Sequence, residues 1–280
     1  MTPTSPLPGV DPQIDPTAVG TAPPAARPAD DVGVGNTIGS LDRRNTAQQI
    51  ADRIATAIAL GEFVEGQRLP GERDLAEMLG ASRPTIREAF QRLDSLGLVE
   101  IRRGRTGGAY VLPFDWSTMR APIRRTLLPA WAELEVLFDF RTLIEGLVAS
   151  TAAERRTASD IATIEAALED YRNAGGSREA SRAADEALHR AISLATHNRY
   201  LHELSMELRM KVSLGFQAEP YTPALRERAL EQHPALVDAV VDGRAEVAAH
   251  LSAEHFGLTE GSYREVFARI EPRDETTGDE

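Results

Sequence analysis

The sequence predicts a mainly α-helical protein in two parts, an N-terminal winged helix-turn-helix followed by an all-α helical bundle. Two observations carry that fold class. Between Leu69 and Leu112 two short helical periodicities are followed, after Gly97, by an alternating pattern with a glycine-rich turn. From Trp131 to Ile270 nothing alternates and apolar residues keep helical spacing. At 280 residues and 42% hydrophobic content the chain can bury substantial cores, and its length suggests about two domains.

Residues 1–40 are rich in Pro, Gly, Ala and Thr without periodicity, so they are expected to be a disordered tail. Asn45 to Leu60 reads as the first helix, with Ile50, Ile54, Ala57 and Ile58 on one face. In Glu72 to Leu79 the residues Leu75, Met78 and Leu79 define a buried stripe, and Gly80 stops that helix. Ser82 can cap the next, where Pro84 is tolerable because first-turn N–H groups have no intrahelical partner. Its apolar stripe is Ile86, Phe90 and Leu93, and Arg83 and Arg87 share a different face near the N-terminal end. Val99 and Ile101 then alternate with Glu100 and Arg102, and Ala109 to Leu112 return as a second strand. Residues 114–129, with Pro122 and Pro129, read as an inter-domain connector.

Further helices are expected near Ala132–Arg156, Ser159–Asn173, Arg178–Thr196, Tyr200–Gln217, Pro223–Val241 and Ala245–Arg269. Alanine-rich helices of this kind favour close packing in a bundle. Residues 271–280 form an acidic, polar tail. The expected domain limits are therefore 41–113 for the winged helix-turn-helix and 130–270 for the helical domain.

In a helix-turn-helix the N-terminal half of the second helix enters the major groove, where a guanidinium grips guanine or a phosphate. A hairpin tip carrying Arg102, Arg103, Arg105, Gly107 and Gly108 can lie against a nucleic-acid backbone as a wing. Formal net charge is −12, the wrong sign for a protein that coats DNA non-specifically, so the charge is segregated. Arginines gather in the first part and Glu and Asp stud the second, which predicts a small, salt-sensitive footprint on double-stranded DNA. The absence of cysteine excludes disulfides and thiolate chemistry. No apolar run reaches membrane-spanning length and the first residues lack a signal-peptide pattern, so the protein is expected to be cytoplasmic.

The segment LPGERDLAEMLGASRPTIREAFQRLDSLGLVEIRRGRTGGAYV resembles the winged-helix domain of GntR-family bacterial transcription regulators, over roughly Arg43 to Pro113. That resemblance implies DNA contacts from Arg73, Arg83 and Arg87, with Ser82 and Thr85 in neighbouring contact positions and Gly104 and Arg105 at the wing tip. Pro84 departs from the pattern, since many relatives carry a donor side chain there.

In the helical part Asp185 and His189 stand i, i+4 on one helix, so a carboxylate oxygen and an imidazole nitrogen can converge. His233 lies in the Pro223–Val241 helix, and His250 and His255 in the last. Three imidazoles and one carboxylate suit Zn²⁺, Ni²⁺, Mn²⁺ or Fe²⁺ with coordination positions to spare, although an Asp-x-x-x-His pair alone arises often by chance. The stretches DEALHRAISLATHN and EQHPALVDAVVDGRAEVAAHLSAEHF, behind a winged helix, resemble the ligand-binding domain of the FadR subgroup in its metal-binding, FCD-type version. This resemblance implies a divalent metal on Asp185, His189, His233 and His255, the family's spacing favouring His255 over His250.

Arg141 sits among Phe138, Leu143, Ile144 and Leu147, and a buried guanidinium needs an anion. The resemblance implies the carboxylate of a small effector there; the alternative is a salt bridge to Glu145 or another acid. Asn198 can line the same cavity or end a helix.

The leading function class is a DNA-binding transcriptional regulator of repressor type. It would be a homodimer on a palindromic operator, with a helical domain that binds a metal and a small carboxylate metabolite. The competing classes are a metal-dependent enzyme with an appended DNA-binding domain, for which no second cluster is positioned to take a proton, and a regulator whose metal is purely structural.

Overall fold

The computed structural model describes residues 45–175, 177–216 and 219–270. The expected N-terminal and acidic tails therefore lie outside the described residues.

The first part comprises α1 (Thr46–Ala59), α2 (Glu72–Met78), α3 (Arg83–Ser95) and a hairpin of β1 (Val99–Arg102) and β2 (Gly108–Val111). Ser82 caps α3, its hydroxyl accepting from Thr85 N–H, and Gly80 makes the turn between α2 and α3 at φ +61°. Ile50, Ile54 and Ile58 of α1 meet Leu75, Ile86, Phe90 and Leu93 in one core. The antiparallel hairpin pairs Val99 with Val111 and Ile101 with Ala109. Val99, Ala109 and Val111 are buried, whereas Ile101 is exposed.

The segment read as a connector is itself helical: α4 (Trp116–Leu127) runs into a 3-10 turn at Leu128–Ala130. Asp115 caps α4, and Met119, Ile123 and Leu127 bury against the winged-helix core. Pro122 is accommodated within its second turn, where the lost N–H removes one ladder bond. Arg125 donates two hydrogen bonds of 2.7 Å to Asp52 of α1.

The helical domain comprises α5 (Trp131–Arg155), α6 (Ala158–Asn173), α7 (Arg178–Leu194), α8 (Arg199–Lys211), α9 (Pro223–Val241) and α10 (Ala245–Ala268). Thr157, Ser177, Asn198 and Thr222 cap α6 to α9 with side-chain hydrogen bonds. The packing of α5 on α10 is close at Gly146, where an added Cβ would lie 3.3 Å from the Ala249 carbonyl oxygen. One core of this domain joins Ala149, Ala152, Ile164, Leu188, Leu236 and Val240. Along α5, Val136, Phe140, Leu143 and Leu147 repeat at helical spacing yet remain 65, 42, 63 and 49% exposed.

One sequence expectation is corrected at α8, which ends at Lys211 and not at Gln217. The chain leaves the helix at Val212, where Leu214 turns its N–H to the buried Glu62 carboxyl and Gly215 takes φ +92°.

Candidate functional site

Two groups of polar side chains stand out, one on the winged helix and one inside the bundle. On the winged helix Arg73, Arg83 and Arg87 are all exposed, with side-chain accessibilities of 84, 63 and 56%. Glu72, which the sequence reading passes over, collects two of them. Arg87 donates from Nε and Nη2 at 2.9 and 2.6 Å, and Arg83 Nη2 lies 3.8 Å away. The Arg87 hydrogen bond holds the Glu72 carboxyl below its ordinary range. The Ser82 and Thr85 hydroxyls lie 2.7 Å apart at the start of α3. Gly104 takes φ +102° at the wing tip beside the exposed Arg105, and its carbonyl accepts from Gly107 N–H at 2.9 Å.

Inside the bundle α7, α9 and α10 bring Asp185, His189, His233 and His255 together, with one donor atom from each lying within 4.8 Å of the others. His255 Nε2 is 3.2 Å from His233 Nε2 and 3.1 Å from His189 Nε2. Asp185 Oδ1 lies 3.6 Å from His233 Nε2 and 3.8 Å from His189 Nε2. Burial, together with cationic and imidazole neighbours, lowers the pKa of His189 and His255 well below the ordinary histidine value and that of His233 to about 3. Burial pushes Asp185 up to about 6 against the pull of Arg209.

This donor set fits a divalent cation. Three neutral imidazoles facing one another at hydrogen-bond distance have more lone pairs than shared protons, and a cation is the partner that satisfies all of them. His255 Nδ1–H donates to Gln232 Oε1 at 3.2 Å, which leaves its Nε2 lone pair pointing at the cluster. His250 is exposed and pairs with Glu254 at 3.3 Å, so the competing histidine stands outside the group.

Asp185, His189 and His255 of the cluster form part of the wall of a cavity of about 210 Å³ that Arg141, Arg182, Arg209 and Glu219 also line. Arg141 is buried as expected, under the Phe256 ring at 4.6 Å. Its acid partner is Glu219 at 2.8 Å, not Glu145, whose carboxylate instead accepts from the Ser205 hydroxyl at 2.9 Å. Asn198 does not line the cavity: its side chain caps α8 by accepting from Tyr200 and Leu201 N–H. Asparagine is a strong N-cap former, which is what places it there.

Arg209, Arg182 and Glu219 are cavity residues that sequence reasoning missed. Met206, Arg209 and Met210 share one face of α8 at i, i+3, i+4, a signal that marks a face but not its neighbour. Glu219 lies outside any helix and 78 residues from Arg141, beyond reach of any local pattern.

A winged helix-turn-helix carrying exposed arginines, joined to a helical domain whose cavity is lined by ionisable side chains, defines a DNA-binding transcription regulator. Comparison with known proteins agrees. The family model "Bacterial regulatory proteins, gntR family" matches residues 46–111, and the FCD domain model matches residues 135–258. The galactonate operon transcriptional repressor of Escherichia coli K12 is 32% identical over 201 residues, covering 70% of this chain and 87% of its own length. The HTH-type transcriptional regulator LutR of Bacillus subtilis is 35% identical over 144 residues, 51% of this chain and 65% of its own. Among solved structures, Streptococcus agalactiae GntR is 24% identical with a TM-score of 0.40, covering 77% of this chain and 99% of that one. The chain belongs to the GntR family of transcriptional regulators and carries an FCD domain.

Proposed function

We propose that this protein is a metabolite-responsive repressor that binds a palindromic operator as a homodimer. In this reading Arg73, Ser82, Arg83, Thr85, Arg87, Gly104 and Arg105 face DNA. Asp185, His189, His233 and His255 hold a divalent metal, and Arg141 receives the carboxylate of a small effector. The observation that carries it is the sharing of one 210 Å³ cavity wall by a buried guanidinium and three members of a four-donor cluster, Asp185, His189 and His255. A cavity of that size suits a small acid and not a long acyl chain. A bound divalent ion would supply positive charge beside Arg141, and the two together would draw an anionic ligand.

Repression and a small acid as effector are supported by the likeness to the galactonate operon transcriptional repressor, and regulation of an operon also by that to the Uxu operon transcriptional regulator of Escherichia coli. A regulatory role in preference to an enzymatic one is supported by the same names. The exposed Val136, Phe140, Leu143 and Leu147 stripe on α5 supports a second copy of the chain as partner. One winged helix covers a half-site only, and a two-fold dimer reads both halves. As a bacterial operator-binding protein it works in the cytoplasm, and no described helix is long and apolar enough to cross a membrane.

Native mass spectrometry with metal analysis tests the reading. One divalent ion per chain in a dimer is the expected result. A metal-free monomer that still releases operator DNA on adding galactonate would overturn it.

A further inference from the structure

The short segment between α8 and α9 makes two sets of contacts that belong to different domains. In the cavity Glu219 Oε1 accepts from Arg141 Nη2 at 2.8 Å and lies 3.3 Å from Arg209 Nε, while Oε2 accepts from the Thr259 hydroxyl at 3.1 Å. Although burial pushes the Glu219 pKa up, Arg141 and Arg209 outweigh it and hold the carboxyl below its ordinary range. The cradle is nevertheless incomplete. Arg141 Nε and Nη1 and Arg209 Nη1 are buried without a hydrogen-bond partner among the described residues. Arg209 Nη2 also reaches Asp185 Oδ2 at 3.4 Å. Buried guanidinium N–H groups left unpaired are costly, so even beside these two carboxylates the arginines have donors to offer an anion.

On its other side the same segment grips the loop that follows α1 in the winged helix. Leu214 N–H donates to Glu62 Oε1 and Tyr221 N–H to the Gly61 carbonyl, both at 3.4 Å. The rings of Phe216 and Phe63 meet edge to face at 5.2 Å. Arg178 of α7 pins both partners, donating to the carbonyls of Gly61, Glu62 and Tyr221. The approach is close: a Cβ added at Gly61 would lie 2.4 Å from the Thr222 methyl.

We propose that Glu219 stands in for an anionic ligand on Arg141 and Arg209, and that a ligand carboxylate taking its place loosens the hold of Leu214, Phe216 and Tyr221 on Gly61, Glu62 and Phe63. The inference rests on the reading of the cavity as a carboxylate site. Two carboxylates on one pair of guanidinium groups repel each other strongly in a buried setting, so the incoming anion displaces the tethered one. Glu219 is only two residues from Tyr221, and its withdrawal pulls on the contact with Gly61. The winged helix is thereby released by the act that fills the cavity.

Hydrogen–deuterium exchange on the full-length, metal-replete protein tests this, with acetate as the probe and chloride at matched ionic strength as control. In Glu219→Gln without acetate, exchange of peptides covering residues 57–63 and 212–216 should rise by at least about fivefold, the lower end of usual coupling between sites. Exchange of α3 should not change. Acetate should produce the same rise in the wild type and none in the variant. Wild-type exchange rates in Glu219→Gln would overturn the coupling. A loosened variant beside a wild type indifferent to acetate would overturn the ligand half, and with it the carboxylate reading of the cavity. Should Glu219→Gln fail to fold by circular dichroism, Thr259→Val removes one of the carboxylate's donors and must raise exchange in the same peptides; unchanged rates there also overturn the coupling.

Discussion

Arg87 and Glu72 form a two-point ion pair, Nε to Oε1 at 2.9 Å and Nη2 to Oε2 at 2.6 Å, that ties the first turn of α2 to α3. Both partners are accessible to solvent, so the pair adds little to stability and its value is positional. It fixes the guanidinium fork of Arg87 on the face it shares with Arg83.

Arg87→Ala should therefore weaken specific operator binding by about 1–3 kcal/mol if the fork reads a guanine. Footprinting of Arg83→Ala and Arg87→Ala checks this. Unchanged operator affinity in both, with the fold intact, removes α3 from the DNA interface.

For the metal, replacing His189 and His233 together by alanine should abolish stoichiometric uptake of a divalent ion and any response to a carboxylate, while the winged helix still binds DNA. Inductively coupled plasma analysis beside an operator-binding assay gives both readouts. A double variant that still takes up one ion per chain places the metal elsewhere.

Leu143→Glu puts a charge in the middle of the exposed apolar stripe on α5, which in a dimer would have to be buried unpaired. Sedimentation at micromolar concentration should show the wild type as a dimer and the variant as a monomer. A wild type that sediments as a monomer both free and on DNA excludes this interface.

Glu62 predicts a pH dependence. Burial pushes its carboxyl up to about 8 from an ordinary 4.5, against the pull of the Leu214 hydrogen bond and of Arg182 and Arg178, with Glu219 adding to the rise. Because the folded pKa is raised, the group's contribution to stability is full below its unfolded pKa and is lost as pH rises through about 8. Glu62→Gln should flatten this part of the profile, gaining on the wild type as pH rises from about 5 to about 9. Urea midpoints across that range report it, and parallel curves for the two proteins would remove Glu62 as the cause.

The fold is legible in the sequence where local signals agree. Ser82 as a cap, Gly80 as a stop and the change from helical to alternating spacing after Gly97 leave few arrangements for residues 69–112. The helices around Asp185, His233 and His255 are legible for the same reason, since Ser177 and Thr222 begin two of them. What escapes is set by tertiary contact. The run past Lys211 keeps helical composition, yet Leu214 is drawn out by the Glu62 carboxyl 152 residues away. Asn198 illustrates the converse: read as a cavity residue or a helix end, it begins a helix, and its strong local role as a cap keeps it out of the cavity. Two prolines in residues 114–129 argue for a connector, but the apolar spacing of Met119, Ile123 and Leu127 prevails and builds α4.

The burial of α4 against α1 bears on how this protein can be cut and recombined. A graft that ends at the last strand of the wing would strip Met119, Ile123 and Leu127 from their seat and leave Asp52 without its cation. Such a fragment would expose an oily groove and aggregate. A portable reader head must carry its collar with it, through Leu127, and a sensor borrowed from elsewhere must be fused downstream of that point.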